Sequence, residues 1–588
     1  MEFASDRYPR PQLYREESSW TDLNGDWDFR SDDEKRGIGE GWHRGFRSQR
    51  QIRVPFAPET ALSGIEDPSV HSLVWYHRSI TLTAGQLQGR LLLHLEGSDY
   101  HTVVYLNGQR MGEHIGGYAR FTCDLTEAAV EGENQLVIRV ADSLDASQPR
   151  GKQRWRKDNF GCWYVQTTGI WKTVWLESVP EVYIRALKLT PDVRGQKLRA
   201  EYFLSAPLSG SLRFTASFED QVVSRVTVRT NGLRGWAELP LRNVELDEWG
   251  LQLWSPEHPA LYHLTAELTP DSGREDRVNS YFGMREIRVE GNQIYLNDRP
   301  LYQKLILDQG YWEKSHLTPP DLDAILTDLR MIRELGYNGL RKHQKIEDDR
   351  FYSWCDRLGL LVWCEMPSAY AYDDDMVEAL CRQWTEIVRQ HYNHPSVITW
   401  TPINESWGIP TVKTDPMQQS LSRTMYYLTH SLDSTRPVIS NDGWEHTVSD
   451  VVTIHDYDGD GASIRRRYEK HLADYLGSRA SFNDYKTLYA ENCGYEGQPV
   501  LISEYGGIAL VNDGTGWGYG DKVEGEEAFL RRFEETQRAI LSIANCVGFC
   551  YTQLTDVQQE VNGLLHEDRT PKIPVEKIRA INDLMPEI

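Results

Sequence analysis

The pattern of apolar and polar positions predicts β-strands over the first third of the chain. Short runs such as 90–97, 102–108 and 170–177 alternate apolar with polar residues, and turn residues separate them. The run at 102–108 ends in an Asn-Gly pair, which is a strong hairpin signal. We therefore predict a jelly-roll-like β-sandwich over residues 1–180.

A long segment between two of these strands is dense in aromatic and polar side chains. It covers about residues 150–164 and includes Trp155, Trp163 and Tyr164. Loops of this length are often functional. Packing against a neighbouring domain is the alternative that the sequence leaves open.

Strand alternation continues after residue 180. The clearest runs are 198–204, 211–218 and 222–228. The whole span, residues 181–286, is close to the size of one immunoglobulin-like β-sandwich of about 100 residues. We therefore predict that fold for the second domain.

From residue 287 onward, buried strands alternate with amphipathic helices. Eight strands with interleaved helices in about 300 residues are typical of a (β/α)8 TIM barrel, which we predict over residues 287–588. The clearest helix has an apolar stripe at spacings of three and four, formed by Leu322, Ile325, Leu326, Leu329, Ile332 and Leu335. The strands are predicted near residues 303–307, 337–341, 360–364, 397–401, 437–440, 451–454, 500–503 and 547–551.

Two of the barrel strands are followed by a glutamate. The fourth strand stops at Pro402, which cannot donate to a sheet ladder, and Asn404 and Glu405 come next. Glu504 follows the apolar run of the seventh strand. Because the C-terminal ends of barrel strands carry the chemistry, we expect the two carboxylates in one site. Such a pair can hydrolyse a glycosidic bond, although either glutamate alone could be a surface residue.

Other strand ends supply candidate substrate-binding residues by the same positional argument. For His455 the alternative is a structural histidine at the barrel rim, and for Trp444 it is a core position. Tyr505 follows Glu504 directly and either hydrogen-bonds near it or packs in the barrel wall. The candidates from strand ends are Asp308, Trp312, Glu365, Trp444, His455, Tyr457 and Gln553.

Composition narrows the classes of function. The formal net charge of −23 argues against a nucleic-acid partner, which calls for basic stripes, and mildly disfavours a polyanionic substrate. No window approaches 18 uninterrupted apolar residues, so no membrane span is expected. The 19 Trp and 30 Tyr residues suit platforms for sugar rings, but large sandwich cores also use them.

The cysteines and the N-terminus indicate a cytoplasmic protein. The eight Cys residues have no regular spacing, and several lie in apolar runs, as reduced thiols do. No Cys or His cluster has zinc-ligand spacing, so we expect neither a metal nor another cofactor. The first twenty residues lack the apolar segment of a secretion signal.

Motifs in a fixed order make the chain similar to a known family. It resembles glycoside hydrolase family 2, the β-galactosidase and β-glucuronidase family, over essentially its whole length. The resemblance implies a sugar-binding sandwich, an immunoglobulin-like sandwich and a catalytic barrel. The residues that carry it are 23–29, 105–108, 168–171, 253–257, 282–286, 404–405 and 503–506.

The resemblance also implies roles for the candidate residues. Glu405 would be the acid/base and Glu504 the nucleophile of a retaining glycosidase, and Asn404 would hold the sugar 2-hydroxyl. The family's Arg-x-x-His motif after the second strand carries over only at Arg341. Here the histidine comes one place early, at His343, and Gln344 stands where the family has it. Either side chain could take the histidine's place.

The sugar is less well specified than the reaction. Glucuronidases of the family bind the substrate carboxylate with an Asn-x-Lys pair, and the corresponding stretch at 560–569 has no lysine. A uronic acid would need another cation, such as Lys342, Lys345 or an arginine of the 150–157 loop. We therefore expect a retaining exo-glycosidase that prefers a neutral galactose- or arabinose-type sugar. The alternatives are a β-glucuronidase or β-galacturonidase with a different cation, and a non-catalytic carbohydrate-binding protein; a homo-oligomer is possible.

Overall fold

The first domain is a sandwich of two antiparallel sheets. The computed structural model describes residues 6–241, 250–477, 486–511 and 514–586. A four-stranded sheet with order β1-β12-β5-β9 faces a six-stranded sheet with order β3-β2-β4-β10-β7-β8, and β6 pairs with β11. Apolar side chains from both sheets form one core between them. The strands are β1 Trp20–Asp22, β2 Gly25–Ser31, β3 Gln51–Val54, β4 Leu73–Leu82, β5 Arg90–Leu95, β6 Ser98–Asp99, β7 His101–Leu106, β8 Gln109–Ile115, β9 Phe121–Asp124, β10 Gly132–Ala141, β11 Gly169–Ile170 and β12 Val174–Val179, with single 3-10 turns at Glu17–Ser19, Trp42–Arg44 and Ala61–Ser63.

A long hairpin organises the second domain. The hairpin consists of residues 197–218 and 221–240. Its first strand pairs with the preceding strand along one half and with the strand after the hairpin along the other, and the pairing register within the hairpin shifts between Phe203 and Leu208. The predicted strands at 198–204 and 211–218 are thus the two halves of one bent strand. Alternate side chains of this strand are buried in the domain core, as a half-buried sheet requires. The strands are β13 Ile184–Asp192, β14 Lys197–Phe218, β15 Gln221–Pro240, β16 Tyr262–Pro270 and β17 Asp276–Phe282.

The third domain contains the parallel barrel sheet. Its strand order is β24-β23-β22-β21-β27-β26-β25, which is the sequence of a barrel interrupted at one place. Every described strand of this sheet except β21 is buried along its entire length, because helices cover it outside and side chains fill it inside. A small antiparallel sheet precedes the barrel. The strands are β18 Ile287–Glu290, β19 Gln293–Leu296, β20 Arg299–Pro300, β21 Gln303–Asp308, β22 Gly339–Lys342, β23 Leu361–Glu365, β24 Val397–Thr401, β25 Val452–Asp456, β26 Val500–Gly506 and β27 Cys546–Thr552.

The fifth predicted barrel strand differs from expectation. Residues 437–440, all of which the structure describes, form isolated bridges instead of a strand: Val438 pairs with Trp400, and Ile439 pairs with Ser449. Pro437 lacks the N–H that a longer ladder would use. The segment still lies beside β24, because Ile439 N donates to Trp400 O at 3.0 Å. It therefore occupies the place of the missing strand.

Helices connect the barrel strands on the outside. The predicted stripe from Leu322 to Leu335 forms the first helix, which buries Ile325, Leu329 and Ile332. Aspartate side chains cap the N-termini of the first four helices. No helix in the described part of the chain is long and apolar enough to cross a membrane. The helices are α1 Leu322–Glu334, α2 Asp349–Leu358, α3 Asp374–His391, α4 Pro416–Leu432, α5 Gly461–Gly477, α6 Gly525–Leu541 and α7 Val575–Asn582.

Candidate active site

Local backbone irregularities aim the two glutamates into the barrel mouth. Glu405 follows β24 and has a left-handed φ of 53°, and its N–H donates to the carbonyl of Asp442 at 2.9 Å. Glu504 lies in β26, where the pairing register with β25 shifts between Ile454 and His455. Shifts of this kind re-aim a side chain next to a functional site. Both carboxylates consequently reach the same cleft.

The two carboxylates are close together. An oxygen of each lies within 4.8 Å of an oxygen of the other. The Nδ1 atom of His455 lies between them, 2.8 Å from Glu405 and 3.3 Å from Glu504. Retaining glycosidases hold their carboxyl groups about 5–5.5 Å apart, whereas inverting ones leave about 6.5–9.5 Å for a water molecule. The spacing here therefore matches direct attack by one carboxylate.

Arg341 is the fixed centre of the site. Its guanidinium donates to Glu365 at 2.6 Å, to Glu504 at 2.8 Å and to the amide oxygen of Asn404 at 2.6 Å. Asp442 lies 2.5 Å from the same group. The side chain is fully buried, so the guanidinium pairs with all three carboxylates away from water.

Glu405 and His455 share one exchangeable proton. Burial alone would lower the pKa of His455, but the charges of Glu504 and Asp442 and the hydrogen bonds to Asp442 and Glu405 raise the pKa to about 10. Burial alone would raise the pKa of Glu405, but His455 and the charge of Lys152 lower that pKa to about 2. In the unliganded cleft the proton is therefore on His455. It can move to Glu405 along the 2.8 Å hydrogen bond without changing the charge of the pair.

Glu504 has donors on both oxygens. Arg341 donates to Oε1 at 2.8 Å, and the Tyr457 hydroxyl donates to Oε2 at 2.5 Å. The Tyr457 ring stacks on Tyr519, with ring centroids 3.4 Å apart. The two hydrogen bonds fix the orientation of the Glu504 carboxylate, as a group that must attack from one direction requires.

The two possible replacements for the family histidine, His343 and Gln344, have different contacts in the structure. His343 Nδ1 lies 3.1 Å from Glu365 and 3.3 Å from Arg341, within the catalytic cluster. Gln344 instead accepts a hydrogen bond from Tyr370, and its amide nitrogen has no partner among the described residues. Burial, Lys152 and Arg341 lower the pKa of His343 well below its usual value, so the ring is neutral. The structure thus brings His343 to the carboxylates.

Asn404 has a free donor beside the catalytic pair. Its oxygen accepts from Arg341 at 2.6 Å, while its buried Nδ2 has no partner within the part of the chain that the structure describes. An unsatisfied buried amide is costly unless a ligand completes it. Asn404 is therefore placed to donate to a sugar hydroxyl.

Several other predicted residues lie away from the carboxylates. Asp308 pairs with Lys342 at 2.8 Å below the cleft. The ring of Trp312 lies under Lys345, 4.9 Å from its Nζ. Tyr505 points outward and donates to Gln537 of α6, so the structure does not bring it to Glu504.

Two further predicted residues lie at the cleft or next to it. Trp444 lines the cleft and meets the His455 ring edge-on at 5.4 Å. Gln553 is buried behind it and bonds to Gln309 at 2.6 Å and to Asn562 at 2.7 Å. Gln553 therefore holds neighbouring side chains and does not contact the carboxylate pair.

Sequence reasoning missed residues that come from irregular segments. Asp442 follows the bridging segment that replaces the fifth strand, and nothing in the local pattern marked it. Cys162 of the 150–164 loop, together with aromatic residues that flank β25 or follow β24 and β26, encloses a cleft of about 640 Å³, a size that suits a small ligand. Its walls include Cys162, Trp407, Trp444, Tyr457 and Tyr519.

Glu405, His455 and Glu504 have the spacing of a metal-ligand group, with donor atoms within 4.8 Å of one another. A histidine ligates through a neutral nitrogen. Here the carboxylates hold His455 in its protonated form, and its Nε2 also contacts Asp442 at 2.8 Å. The donor set therefore fits a proton-sharing cluster better than a metal.

Comparison with known domain families covers nearly the whole chain. The glycosyl hydrolases family 2 sugar binding domain matches residues 20–180, and the central domain described as glycosyl hydrolases family 2 matches residues 182–285. The TIM barrel domain of the same family matches residues 287–585.

Individual relatives and solved structures carry related names. A Formosa agariphila protein with a provisional β-glucuronidase name is 29% identical over 75% of this chain, and the match spans 51% of that protein. The β-glucuronidase of Canis lupus familiaris is 25% identical over 86% of this chain and 80% of its own length. A crystal structure of a β-galacturonidase from Eisenbergiella tayi has a TM-score of 0.77 at 21% identity and covers 99% of both chains. The Ruminococcus gnavus β-glucuronidase in complex with D-glucuronic acid has a TM-score of 0.79 at 18% identity, covering 99% of this chain and 100% of that one.

Proposed function

Because the chain belongs to glycoside hydrolase family 2, we propose that it is a retaining exo-glycosidase that removes terminal β-linked hexuronic acids. The observation that carries this proposal is the pair of opposed carboxylates, Glu405 and Glu504, with oxygens within 4.8 Å of each other. A non-catalytic sugar-binding protein has no use for such a pair. The enclosed cleft at the barrel mouth supports action on the end of a sugar chain.

In the first step Glu504 attacks the anomeric carbon. The bond from that carbon to the departing oxygen breaks, and the shared proton passes from Glu405 to that oxygen. Hydrogen bonds from Arg341 and Tyr457 hold the Glu504 carboxylate in position until it attacks. The products are an alcohol and a sugar bound covalently to Glu504.

In the second step water releases the sugar. Glu405, now a carboxylate, takes a proton from the water molecule that attacks the anomeric carbon, and Glu504 leaves as a carboxylate. His455 helps Glu405 to change role, because the 2.8 Å hydrogen bond lets the pair take up and give back the same proton.

The choice of a uronic acid departs from the neutral sugar that the missing Asn-x-Lys pair predicted. The comparisons favour uronides over neutral sugars, since the dog relative is named a β-glucuronidase and the Eisenbergiella neighbour a β-galacturonidase. The missing pair therefore indicates a different carboxylate-binding group and not a neutral substrate.

A panel of nitrophenyl β-glycosides at one pH tests the proposal. We expect kcat/KM for the glucuronide or the galacturonide to exceed that for the matching glucoside or galactoside by more than about tenfold, or roughly 1.4 kcal/mol in transition-state binding. Faster hydrolysis of the neutral galactoside or arabinoside would restore the neutral-sugar alternative. No hydrolysis of any member would favour the binding-protein alternative.

A further inference from the structure

A loop of the first domain forms part of the barrel mouth. The backbone N–H groups of Arg150 and Gly151 donate to the carbonyl of Ser368 in the barrel, each at 3.0 Å. The Tyr370 hydroxyl donates to the carbonyl of Gly151 at 2.6 Å, and the Tyr164 hydroxyl donates to Glu560. The loop is therefore fixed on the barrel from both of its ends, and the side chains between these anchors are held at the cleft.

Lys152 lies on this loop with its ammonium inside the protein. The residue is 7% exposed, and within the described ranges its Nζ contacts a single acceptor, Cys162 Sγ, at 3.2 Å. Burial raises the pKa of Cys162 to about 11, so the sulfur is a neutral thiol at neutral pH. A thiol is a weak acceptor, and a buried ammonium has three donors to satisfy. Among the residues that the structure describes, no carboxylate is in salt-bridge contact with this ammonium, although the charges of Glu560 and Glu405 help to raise the pKa of Lys152.

The position of Lys152 links it to the catalytic carboxylates. Cys162, which it contacts, lines the cleft together with Glu405. The Nζ atom of Lys152 lies 5.9 Å from the ring of Trp163. Trp163 packs edge-on against Trp407 at 5.1 Å, and Trp407 donates a hydrogen bond to Glu405 at 3.2 Å. The charge of Lys152 also contributes to the lowered pKa of Glu405. An anion held by Lys152 would therefore lie over the aromatic wall beside the reacting bond.

Three of the other cations considered for this role are already bonded within the protein. Lys342 bonds to Asp308 at 2.8 Å, and Lys345 bonds to Glu347 at 2.6 Å. Arg150 donates to the carbonyls of Ser143, Asp145 and Arg154. These groups are structural.

Two further cations near the cleft are also paired. Arg341 holds the catalytic cluster, and its partners saturate it. Arg467 lines the cleft but pairs with Asp456 and with Asp458.

We propose that Lys152 binds the carboxylate of the terminal uronic acid and is the residue that selects uronides over neutral sugars. This inference rests on the proposed function and gives the first domain a direct part in substrate selection. It also explains how the barrel can lack the lysine at 560–562 and still accept a uronide. A substrate carboxylate would give the ammonium the charged partner that the free protein does not supply.

The test is the ratio of kcat/KM for the preferred nitrophenyl β-uronide to kcat/KM for the neutral hexoside of the same configuration. In Lys152→Met the uronide value should fall about 100-fold, because a buried charge pair is broken, while the neutral value stays within about threefold. Lys152→Arg keeps the charge and should retain most of the preference. Lys157→Met, at an exposed position of the same loop, is the matched control and should change neither value.

Each failure has its own signature. If the unmodified protein prefers neutral hexosides, the proposed function fails and the role of Lys152 with it. If the unmodified protein prefers uronides and Lys152→Met keeps that preference, only the assignment of Lys152 is overturned; loss of the preference in Arg467→Met would then identify the cation. Thermal unfolding of each variant checks the fold, and Lys152→Gln decides the result if the methionine variant does not fold.

Discussion

At the scale of residues, the proposed mechanism depends on a proton that Glu405 and His455 share. His455 touches Glu405, Glu504 and Asp442, so it is surrounded by negative charge that holds it protonated. A general acid needs a proton near neutral pH, and a carboxyl group beside an imidazolium does not keep one itself. In the His455–Glu405 pair the imidazole carries the proton that Glu405 needs as a general acid. His455 is accordingly a positioning residue that acts through Glu405.

His455→Gln should change the pH dependence of the reaction. Without the imidazolium, burial raises the pKa of Glu405, and the removable proton sits on a carboxyl group instead of on a histidine with a pKa of about 10. The alkaline limb of kcat/KM should therefore move to lower pH by about one unit or more. Steady-state rates between about pH 5 and pH 10 measure the shift.

A suitable control removes a histidine–carboxylate pair outside the cleft. His430 lies on α4 and contacts Asp450 at 2.9 Å. His430→Gln should therefore leave the pH profile unchanged. An unchanged alkaline limb in His455→Gln as well would show that the proton is not stored on His455.

At the scale of elements, regular patterns along the chain were enough to predict the periodic helices and strands. The apolar stripe of α1 is periodic, and β24 and β26 begin as continuous apolar runs, so Glu405 and Glu504 could be found because they follow such runs. The short bridge at Val438 has no periodicity of its own, since two residues cannot show one. Asp442 could therefore not be placed beside Arg341 from the sequence.

The sequence alone also did not decide the positions of Tyr505 and Lys152. Tyr505 follows Glu504 directly, and the alternation of a strand turns its side chain to the helices outside. Lys152 comes from a loop without a repeat, and its distance from Glu405 depends on how two domains pack. Only tertiary structure contains that information.

At the scale of the whole molecule, buried ion pairs join the first sandwich to the barrel. Arg120, next to β9, donates to Asp349 of α2 at 2.8 Å and to Glu96 at 3.2 Å, and its side chain is 8% exposed. The backbone N–H of the same residue donates to Gln390 of α3. This interface holds the first domain, and with it the 150–164 loop, against the barrel mouth.

Arg120→Met should weaken this interface strongly. Removing one partner of a buried pair leaves uncompensated carboxylates and costs about 3–5 kcal/mol of unfolding free energy. Denaturant unfolding followed by tryptophan fluorescence should show a lower midpoint for the transition that separates the domains. Arg213→Met is the control, since Arg213 pairs with Glu267 on the surface, and it should lower the midpoint far less than Arg120→Met does. Equal effects of the two substitutions would mean that the interface does not depend on Arg120.

The stereochemistry of the first-formed product tests the central claim, displacement by Glu504 with Glu405 as acid and base, most directly. Proton NMR of the anomeric signals during rapid hydrolysis of a nitrophenyl β-uronide resolves the two anomers before they interconvert. With carboxylate oxygens within 4.8 Å of each other, two successive displacements are expected, and the β-anomer should appear first. Initial release of the α-anomer would mean direct attack by water and would contradict a covalent intermediate on Glu504.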